Sequence, residues 1–234
     1  MKDTAKACRP TTPEDCLACP ARHIDLLAYT GASGRSALLQ HFEIATFAPK
    51  ETVYRMGDAG EWFYLLRFGL VKLIRYSASG TERIVQLART GDTIGTAAIS
   101  NNRHRRTAVA MTQSEVCRIP GELAREGCQT NPDLLQALLT QLQASADAAD
   151  TFLTELSTGS AQVRMARLLL FLTEKHDHNE APLPSREEMG ALLGTTTETA
   201  SRVIAEFRRE GVIEMLHNDR CRCNMPVLQL LATV

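Results

Sequence analysis

Seven cysteines are the residues of this 234-residue chain whose type most directly suggests chemistry: Cys8, Cys16, Cys19, Cys117, Cys128, Cys221 and Cys223. The first three share residues 1–25 with three prolines and no hydrophobic period, which indicates an irregular arm. An odd number of cysteines in a chain without an export signal argues against a disulfide framework. We therefore expect metal binding or redox chemistry for some of these thiols.

A second group of functional residues follows Ser185. The run Ser185–Glu188 has the capping-box pattern that starts a helix, and Gly194 is placed to end it. Thr195 or Thr196 then caps a second helix. The inward face of this second helix consists of the apolar residues Ala200, Val203, Ile204 and Phe207. Two short helices joined by a glycine turn predict a helix-turn-helix, whose second helix enters the DNA major groove.

The outward, N-terminal positions of the second helix carry side chains that suit DNA: Thr197, Glu198, Ser201 and Arg202. Arginine bridges guanine O6 and N7, glutamate accepts from cytosine N4, and hydroxyls contact phosphate or base. The alternative is a surface helix with an ordinary i,i+4 pair between Glu198 and Arg202. Residues 185–224 are not net basic, so phosphate contacts would depend on a few placed arginines. Those arginines are Arg202, Arg208, Arg209 and, on a hairpin wing, Arg220 and Arg222.

The composition indicates a folded, nearly neutral protein. With 44% apolar residues the chain can bury the core of one large or two ordinary domains, which excludes a disordered tail protein. The 26 Lys and Arg residues balance 27 Asp and Glu residues, so any DNA contact requires a local basic face. Apolar runs such as residues 168–172 are far shorter than the roughly 18 residues of a membrane span. No signal peptide begins the chain, so a cytoplasmic protein without membrane contact is expected.

Short β-rich runs broken by glycines extend from Phe42 to Ile119 and predict a small antiparallel barrel or roll. The regularly spaced glycines are Gly57, Gly69, Gly80, Gly91 and Gly95, and the strand-like runs are 63–66, 70–74 and 83–87. A second helical run, 163–176, and a short β-hairpin complete the C-terminal part. The predicted parts are an arm (1–25), a β-roll sensor domain (26–130), a long helix (131–158) and a C-terminal domain (159–234).

The long helix, from Pro132 to Leu156, has no internal glycine or proline. Its predicted dimerisation stripe consists of Leu135, Leu138, Leu142, Ala149, Phe152 and Leu156. This apolar edge exceeds what one small roll can cover, so packing against a twin helix would give a two-fold homodimer. The alternative is a helix packed only within its own chain. Asp147 and Asp150 on this helix would weaken a dimer, which would make the association adjustable.

The order of roll, long helix and helix-turn-helix resembles the CRP/FNR superfamily of bacterial transcription regulators. The similarity extends from about residue 16 to the end and is closest in Gly91-Asp92-Thr93-Ile94-Gly95 and in residues 195–202. It implies an α+β protein with a cyclic-nucleotide-binding-like β-roll (jelly roll), a dimerisation helix and a winged helix-turn-helix. Glu198-x-x-Ser201-Arg202 resembles the FNR branch, whose members recognise a TTGAT-N4-ATCAA palindrome in double-stranded DNA. The resemblance thus makes Glu198, Ser201 and Arg202 the base-reading residues, and it implies RNA polymerase as a partner.

The same resemblance implies a cofactor. FNR-branch regulators hold an oxygen-labile [4Fe-4S] cluster on an N-terminal Cys-x2-Cys-x5-Cys group and one central cysteine, and soft thiolates suit such clusters. Here Cys16 and Cys19 form the Cys-x2-Cys pair, and Cys117, ahead of Ile119-Pro120, matches the central cysteine. The usual third N-terminal position is Asp25.

Three replacements for the missing thiol are open. Cys8 could fold back as the fourth thiolate, Asp25 could ligate through oxygen, or His23 could bind. We favour Cys8, Cys16, Cys19 and Cys117, with Asp25 as the alternative fourth ligand. The other possibilities are zinc, a redox disulfide, or thiols that bind nothing. Cys128 is expected to be a packing residue, and Cys221 and Cys223 to be bystanders in the wing.

Other ligands are possible in this superfamily. Cyclic-nucleotide binding uses a Gly-Glu pair for the ribose and an Arg-Ser pair for the phosphate; the corresponding pairs here are Gly95-Thr96 and Arg106-Thr107. The ribose carboxylate is absent, whereas Arg106 and Thr107 remain a possible anion site. The basic loop 103–106 is expected to be solvated, to bind an anion, or to face RNA polymerase. Haem sensing would require histidine, but His104, His176, His178 and His217 are predicted to lie in solvated loops.

No constellation of residues typical of an enzyme is present in the sequence. We therefore expect a dimeric one-component transcription regulator in which an intact cluster favours the dimer and DNA binding, while oxygen or NO reverses both. The runner-up is a regulator of the same fold controlled by a cyclic nucleotide or by haem-bound NO or CO.

Overall fold

The computed structural model describes residues 41–77, 80, 82–174, 177–217 and 219–233, which divide into two compact units between Ala146 and Asp147. The division falls inside the long helix, whereas the sequence suggested a boundary near Gly159. The described strands of the first unit are β1 Glu43–Phe47, β2 Thr52–Tyr54, β3 Trp62–Phe68, β4 Leu70–Tyr76, β5 Glu82–Arg89, β6 Thr93–Ile94, β7 Thr107–Ala110 and β8 Ser114–Pro120. They are followed by helix α1 Gly121–Thr130 and helix α2 Pro132–Glu155, which crosses into the second unit.

The first unit is a roll of two antiparallel four-stranded sheets, in the orders β1-β8-β3-β6 and β2-β7-β4-β5. The three strand-like runs of the sequence lie inside β3, β4 and β5, so the prediction of a β-roll is confirmed. Gly69 makes the turn from β3 to β4 with a φ of 101°, and a Cβ there would lie 2.6 Å from the carbonyl oxygen of Gln113. Only glycine fits such a turn without strain.

Each face of the first sheet is buried against a different layer. Ala45, Leu66 and Val116 belong to the apolar core that also contains Val71 and Ala88 of the second sheet. Neighbouring residues on a strand face opposite ways, so Cys117 and Ile119 cannot join that core. They pack instead with Phe42 beside β1, Ala124 of α1 and Leu138 of α2.

Helix α2 carries two apolar stripes rather than one. Leu138 and Phe152 of α2, and Leu156 directly after its end, are buried within the chain. The prediction that these three residues form a dimer interface is therefore wrong, because they cannot also face a partner. Leu135 and Leu142 are exposed as expected, and Ala149 is half-buried. The outer stripe repeats with alternating steps of four and three residues and consists of Leu135, Leu139, Leu142, Ala146, Ala149 and Leu153. Leu153 and Leu139 are 63% and 51% exposed, and a continuous row of exposed apolar side chains indicates an interaction surface.

The second unit contains the remaining helices and a small sheet. Its elements are α3 Ala161–Thr173, β9 Glu180–Pro182, α4 Arg186–Leu193, α5 Thr197–Arg209, β10 Ile213–Met215, β11 Arg220–Cys223 and α6 Met225–Ala232. The sheet has the antiparallel order β10-β11-β9, so the predicted hairpin is present and gains β9 as a third strand. Its core includes Leu168, Leu169, Met189 and Phe207. Among the described residues, no helix is both long and apolar enough to span a membrane.

Candidate functional site

The helix-turn-helix begins with a complete capping box. Ser185 Oγ accepts a hydrogen bond from the Glu188 backbone N–H at 3.2 Å, and Glu188 Oε2 accepts one from the Ser185 N–H at 3.4 Å. Gly194 ends α4 with a φ of 61°. The predicted capping box at Ser185 and the predicted helix end at Gly194 are both confirmed. Such caps can be predicted from sequence because they depend on residues only about three positions apart.

Thr196, and not Thr195, caps α5: its Oγ1 accepts from the Thr199 N–H at 3.1 Å. The predicted inward residues of α5 are all buried: Ala200, Val203, Ile204 and Phe207. Gly190 of α4 lies against the turn, where a Cβ would be 3.0 Å from the Thr195 carbonyl oxygen and 3.2 Å from the Thr197 nitrogen. Gly190 therefore permits the close approach of the two helices, a role that its sequence position alone does not reveal.

The four predicted DNA-reading side chains form one exposed surface at the N-terminal end of α5. These residues are Thr197, Glu198, Ser201 and Arg202, and we call their surface the reading face. Within the described residues, neither Glu198 nor Arg202 makes a hydrogen bond or ion pair, so the alternative i,i+4 pair is not formed. Their charges remain available to a ligand. Contact of these residues with bases stays a prediction.

The arginines expected around the reading face differ in availability. Arg208 and Arg209 are exposed in the last turn of α5. On the wing, Arg220 and Arg222 both bind Glu180 at 3.2 Å, and Arg222 also binds Glu214 at 3.1 Å. The wing arginines are thus neutralised by carboxylates of the same sheet, which weakens their predicted role at phosphates.

Cys117 is the one proposed cluster ligand that the structure describes. It is 8% exposed and packs in one apolar cluster with Phe42, the second described residue of the chain. The other proposed ligands lie outside the described residues: Cys8, Cys16, Cys19, His23 and Asp25. In the described ranges no three His, Cys, Asp or Glu side chains are grouped to hold a metal ion.

The surroundings of Cys117 fit a thiolate-held cluster in character. Cys128 packs against the same apolar group, and burial raises the pKa of its thiol, which favours the predicted packing role. An apolar shell limits solvent access, and iron-sulfur centres are tuned by such shells.

The possible anion site in the roll is engaged by the chain itself. Arg106 donates to Gln86 Oε1, and the Gln86 side-chain amide donates to Ser145 Oγ on α2. Thr107 is buried, and its Oγ1 accepts from the Met56 N–H at 3.0 Å. Phosphate would have to displace these contacts at Arg106.

The basic loop 103–106 is not uniformly solvated. Its member His104 is only 5% exposed and stacks on Tyr54 with ring centroids 3.9 Å apart, so the expectation of a solvated His104 is wrong. Burial raises the pKa of Tyr54 to about 12 and lowers the pKa of His104. His178 and His217 are exposed as expected, and His176 lies outside the described residues.

Comparison with known proteins gives two family matches. A cyclic nucleotide-binding domain matches residues 44–131, and a Crp-like helix-turn-helix domain matches residues 163–230. Together they cover the roll with α1 and most of the second unit.

Curated relatives point the same way. The transcriptional regulatory protein btr of Bordetella pertussis is 30% identical over 189 residues, which are 77% of each chain. The anaerobic regulatory protein of Haemophilus influenzae is 28% identical over 171 residues, 70% of this chain and 66% of the relative. The fumarate and nitrate reduction regulatory protein of Escherichia coli K12 is 27% identical over 169 residues, 70% of this chain and 68% of the relative.

Solved structures share the fold. A CRP-family transcriptional regulator from Thermus thermophilus superposes with a TM-score of 0.64 at 26% identity, over 81% of this chain and 96% of the other. FixK2 from Bradyrhizobium japonicum gives a TM-score of 0.69 at 21% identity, over 80% and 96% of the two chains.

Proposed function

The chain belongs to the CRP/FNR superfamily of transcription regulators, and from that premise we propose that it is a dimer that reads a palindromic operator under control of a [4Fe-4S] cluster. Regulators of this family bind DNA through the helix-turn-helix and are not enzymes. The observation that carries the proposal is the reading face, whose charged groups have no partner among the described residues.

The reading face suits the edges of a G·C base pair. Arg202 offers two N–H donors to guanine, and Glu198 offers an acceptor to the cytosine amino group. The hydroxyls of Thr197 and Ser201 complete the contacts to phosphate or base. With a chain of formal net charge −1, specific placement rather than the overall field supplies the affinity.

The outer stripe of α2 supports the dimer. Its leucines are exposed in the single chain, and its alternating spacing is the repeat with which two helices pack as a coiled coil. A two-fold dimer presents two reading faces, which matches the symmetry of a palindrome. Asp150 is exposed beside this stripe, and its like charge on each protomer makes the association adjustable.

The proposed sensor consists of Cys16, Cys19 and Cys117 with Cys8 as the fourth ligand, or Asp25 in its place. The packing of Cys117 with Phe42, the second described residue of the chain, supports this set, as does the similarity to FNR-type regulators. When bound, such a cluster would supply an oxygen- and NO-sensitive link between the N-terminal cysteines and Cys117 of the roll. Since Leu138 of α2 packs in the same apolar group as Cys117, loosening this group shifts α2 and the dimer population.

The test of the sensor is anaerobic purification followed by iron and sulfide analysis and a visible spectrum. We expect a coloured protein with about four irons per chain. Cys117→Ser should lose the colour, whereas Cys128→Ser, a change in the same apolar group, should keep it. A colourless, iron-free anaerobic protein that still binds its operator would overturn the sensor proposal while leaving the DNA-binding proposal intact.

The test of the reading face is Glu198→Ala with an FNR-type palindrome and single-base variants of it. We expect relaxed selectivity at one base pair, worth about 1–3 kcal/mol. Glu210→Ala removes the same charge at the other end of α5 and should leave the selectivity unchanged. Unchanged selectivity in Glu198→Ala would show that the assigned residues do not read bases.

The alternative, control by a cyclic nucleotide or by haem-bound NO or CO, has less support. Thr96 is exposed and lacks a carboxylate, and Arg106 is bonded to Gln86. Calorimetric titration with cyclic AMP decides the first case: saturable binding that strengthens operator binding would favour it. We also propose RNA polymerase as a partner of the DNA-bound regulator.

A further inference from the structure

Two cysteines with no role in the proposed function face each other inside the second unit. Cys221 and Cys223 lie on the same side of β11, and their Sγ atoms are 3.8 Å apart. Both side chains are buried, at 0% and 4% exposure. Their pairing follows from the two-residue period of a strand, which places alternate side chains on one face.

The two thiols are not equivalent. Cys221 is the main donor to Cys223 Sγ, because the single hydroxyl proton of Thr173, whose Oγ1 is 3.6 Å from Cys223 Sγ, is also within 2.7 Å of the Leu169 carbonyl oxygen. The hydrogen bond from Cys221 lowers the pKa of Cys223, although burial acts against it. Donating that hydrogen bond, together with burial, raises the pKa of Cys221. The pair thus combines one thiol that ionises more readily with one that keeps its proton.

We propose that Cys221 and Cys223 form an oxidisable dithiol, a site at which hydrogen peroxide closes a disulfide within β11 and thereby weakens DNA binding. The inference concerns the DNA-binding unit alone and does not depend on the cluster.

The chemistry balances in two steps. The Cys223 thiolate attacks one oxygen of hydrogen peroxide, the O–O bond breaks, and hydroxide leaves to take a proton from solvent. The sulfur of Cys221 then attacks the sulfenic sulfur, so the S–S bond forms, the S–O bond breaks, and the departing oxygen takes the Cys221 proton as water. Two electrons pass from the two sulfurs to the peroxide, which becomes two waters.

Closing the bond must deform β11. The sulfurs have to approach from 3.8 Å to about 2.05 Å. Residues two apart on a strand have Cα atoms roughly 6.6 Å apart, whereas disulfides most often join Cα atoms about 5.5–6 Å apart. The strand therefore shortens between residues 221 and 223, and this strain keeps the disulfide easily reduced.

The deformation reaches both the wing and the recognition helix. Arg222 lies between the two thiols and binds Glu180 and Glu214, so a shift of β11 disturbs the ion pairs across the sheet. At the other end, the Asn224 N–H donates to the Val212 carbonyl at 2.9 Å, and the Val212 N–H donates to Phe207 in α5 at 2.8 Å. Movement of β11 is thereby passed to the helix that carries the reading face.

Access is easiest at Cys223. It is the last residue of β11 and pairs with Ile213 of β10, while the pairing with β9 involves residues 220–222. A short strand end with one neighbour opens locally at low cost.

The chemical test uses the full-length protein, reduced, treated with hydrogen peroxide, alkylated and digested with trypsin. Cleavage after Arg220 and Arg222 separates the two cysteines, so a disulfide appears as Cys221–Arg222 joined to the peptide that begins at Cys223. We expect this linked peptide in wild type and in Cys128→Ser, and its loss in Cys221→Ser and Cys223→Ala. Oxidation of Cys128 without the linked peptide, or a linked peptide formed only in denaturant, would overturn the proposal.

The functional test uses cluster-free protein, so that loss of a cluster cannot differ between samples. Micromolar concentration and low salt favour dimerisation and DNA binding in this protein. Peroxide should weaken DNA binding by wild type about tenfold and dithiothreitol should restore it, while Cys221→Ser should not respond. The thermal midpoint of the same samples gives a second readout, which should fall in oxidised wild type alone. Equal responses of wild type and Cys221→Ser in both measurements would contradict control by the dithiol, whatever the fate of the cluster proposal.

Discussion

Gln86 of β5 donates its side-chain amide to Ser145 Oγ of α2, and this bond links the roll to the helix that carries the exposed outer stripe. Gln86 is 5% exposed, and its Oε1 accepts from Arg106. A polar relay of three side chains, Arg106, Gln86 and Ser145, thus engages the arginine that the sequence suggested as a possible anion site. These hydrogen bonds hold α2 against the roll without a bound ligand.

Ser145→Ala should lower the free energy of unfolding by about 1–2 kcal/mol, because it leaves the buried Gln86 amide without its acceptor. Denaturant titration measures this change. Thr140→Ala, which removes an exposed hydroxyl of the same helix that bonds only to the Gln136 carbonyl, should have little effect. Equal stability of the two variants would mean that the relay does not hold α2.

Leu138→Ala and Leu139→Ala should separate the two faces of α2. Leu138 is buried against the roll, so its truncation should cost about 2–5 kcal/mol in the free energy of unfolding. Leu139 is exposed, so the same truncation should be nearly neutral in the monomer and should weaken the dimer. Sedimentation velocity and denaturant titration on both variants check the pair. Leu139→Glu is the stronger test, because it places a charge in the outer stripe. If the dimer were unaffected by Leu139→Glu, the outer stripe would not be part of the dimer interface.

His104 should make the stability of the roll depend on pH. Burial lowers the pKa of His104 in the folded protein below its ordinary value near 6.5. At pH values between these two pKa values, the unfolded chain therefore binds more protons than the folded one. The stability that neutral, buried His104 contributes is therefore complete above about pH 6.5, and it is lost as the pH falls through the pKa of His104 in the folded protein. His104→Phe, which keeps the stacking on Tyr54, should have a flatter profile of thermal midpoint against pH. His217→Gln, at an exposed position, should keep the wild-type profile.

Gly190→Val should disturb the helix-turn-helix. The valine Cβ would lie 3.0 Å from the Thr195 carbonyl oxygen, so the turn must move. The free energy of unfolding should therefore fall by about 1–3 kcal/mol. DNA affinity should fall together with stability, because the turn sets the position of the reading face. Ala191→Val adds the same branched side chain at the exposed neighbouring position and serves as the control. Wild-type affinity and stability in Gly190→Val would show that the close approach is not required.

Local chemistry explains which predictions were confirmed. The capping box at Ser185, the helix end at Gly194 and the strands around Gly69 depend on residues only a few positions apart, and the structure has them as predicted. The sequence left two caps open for α5, and Thr196 was selected by its bond to the Thr199 N–H. The ligand set around Cys117 stays a prediction, since its other members lie outside the described residues.

The corrections concern surfaces covered by distant parts of the chain. Leu138 fits a dimerisation stripe by spacing, but the roll covers it. His104 stands in a basic loop, yet Tyr54, fifty residues earlier, buries it. Arg222 has the charge for a phosphate contact, but Glu180 of β9 binds it.

The sequence by itself determined the helix-turn-helix, the alternation of strands and the chemistry of the reading face, because caps, turns and side-chain periodicity are properties of short segments. The tertiary structure alone decided which stripe of α2 is exposed, which arginines are neutralised, and that the side of β11 carrying Cys221 and Cys223 is buried. Burial and ionic pairing depend on what the fold places opposite a residue, and that neighbour comes from a distant part of the chain.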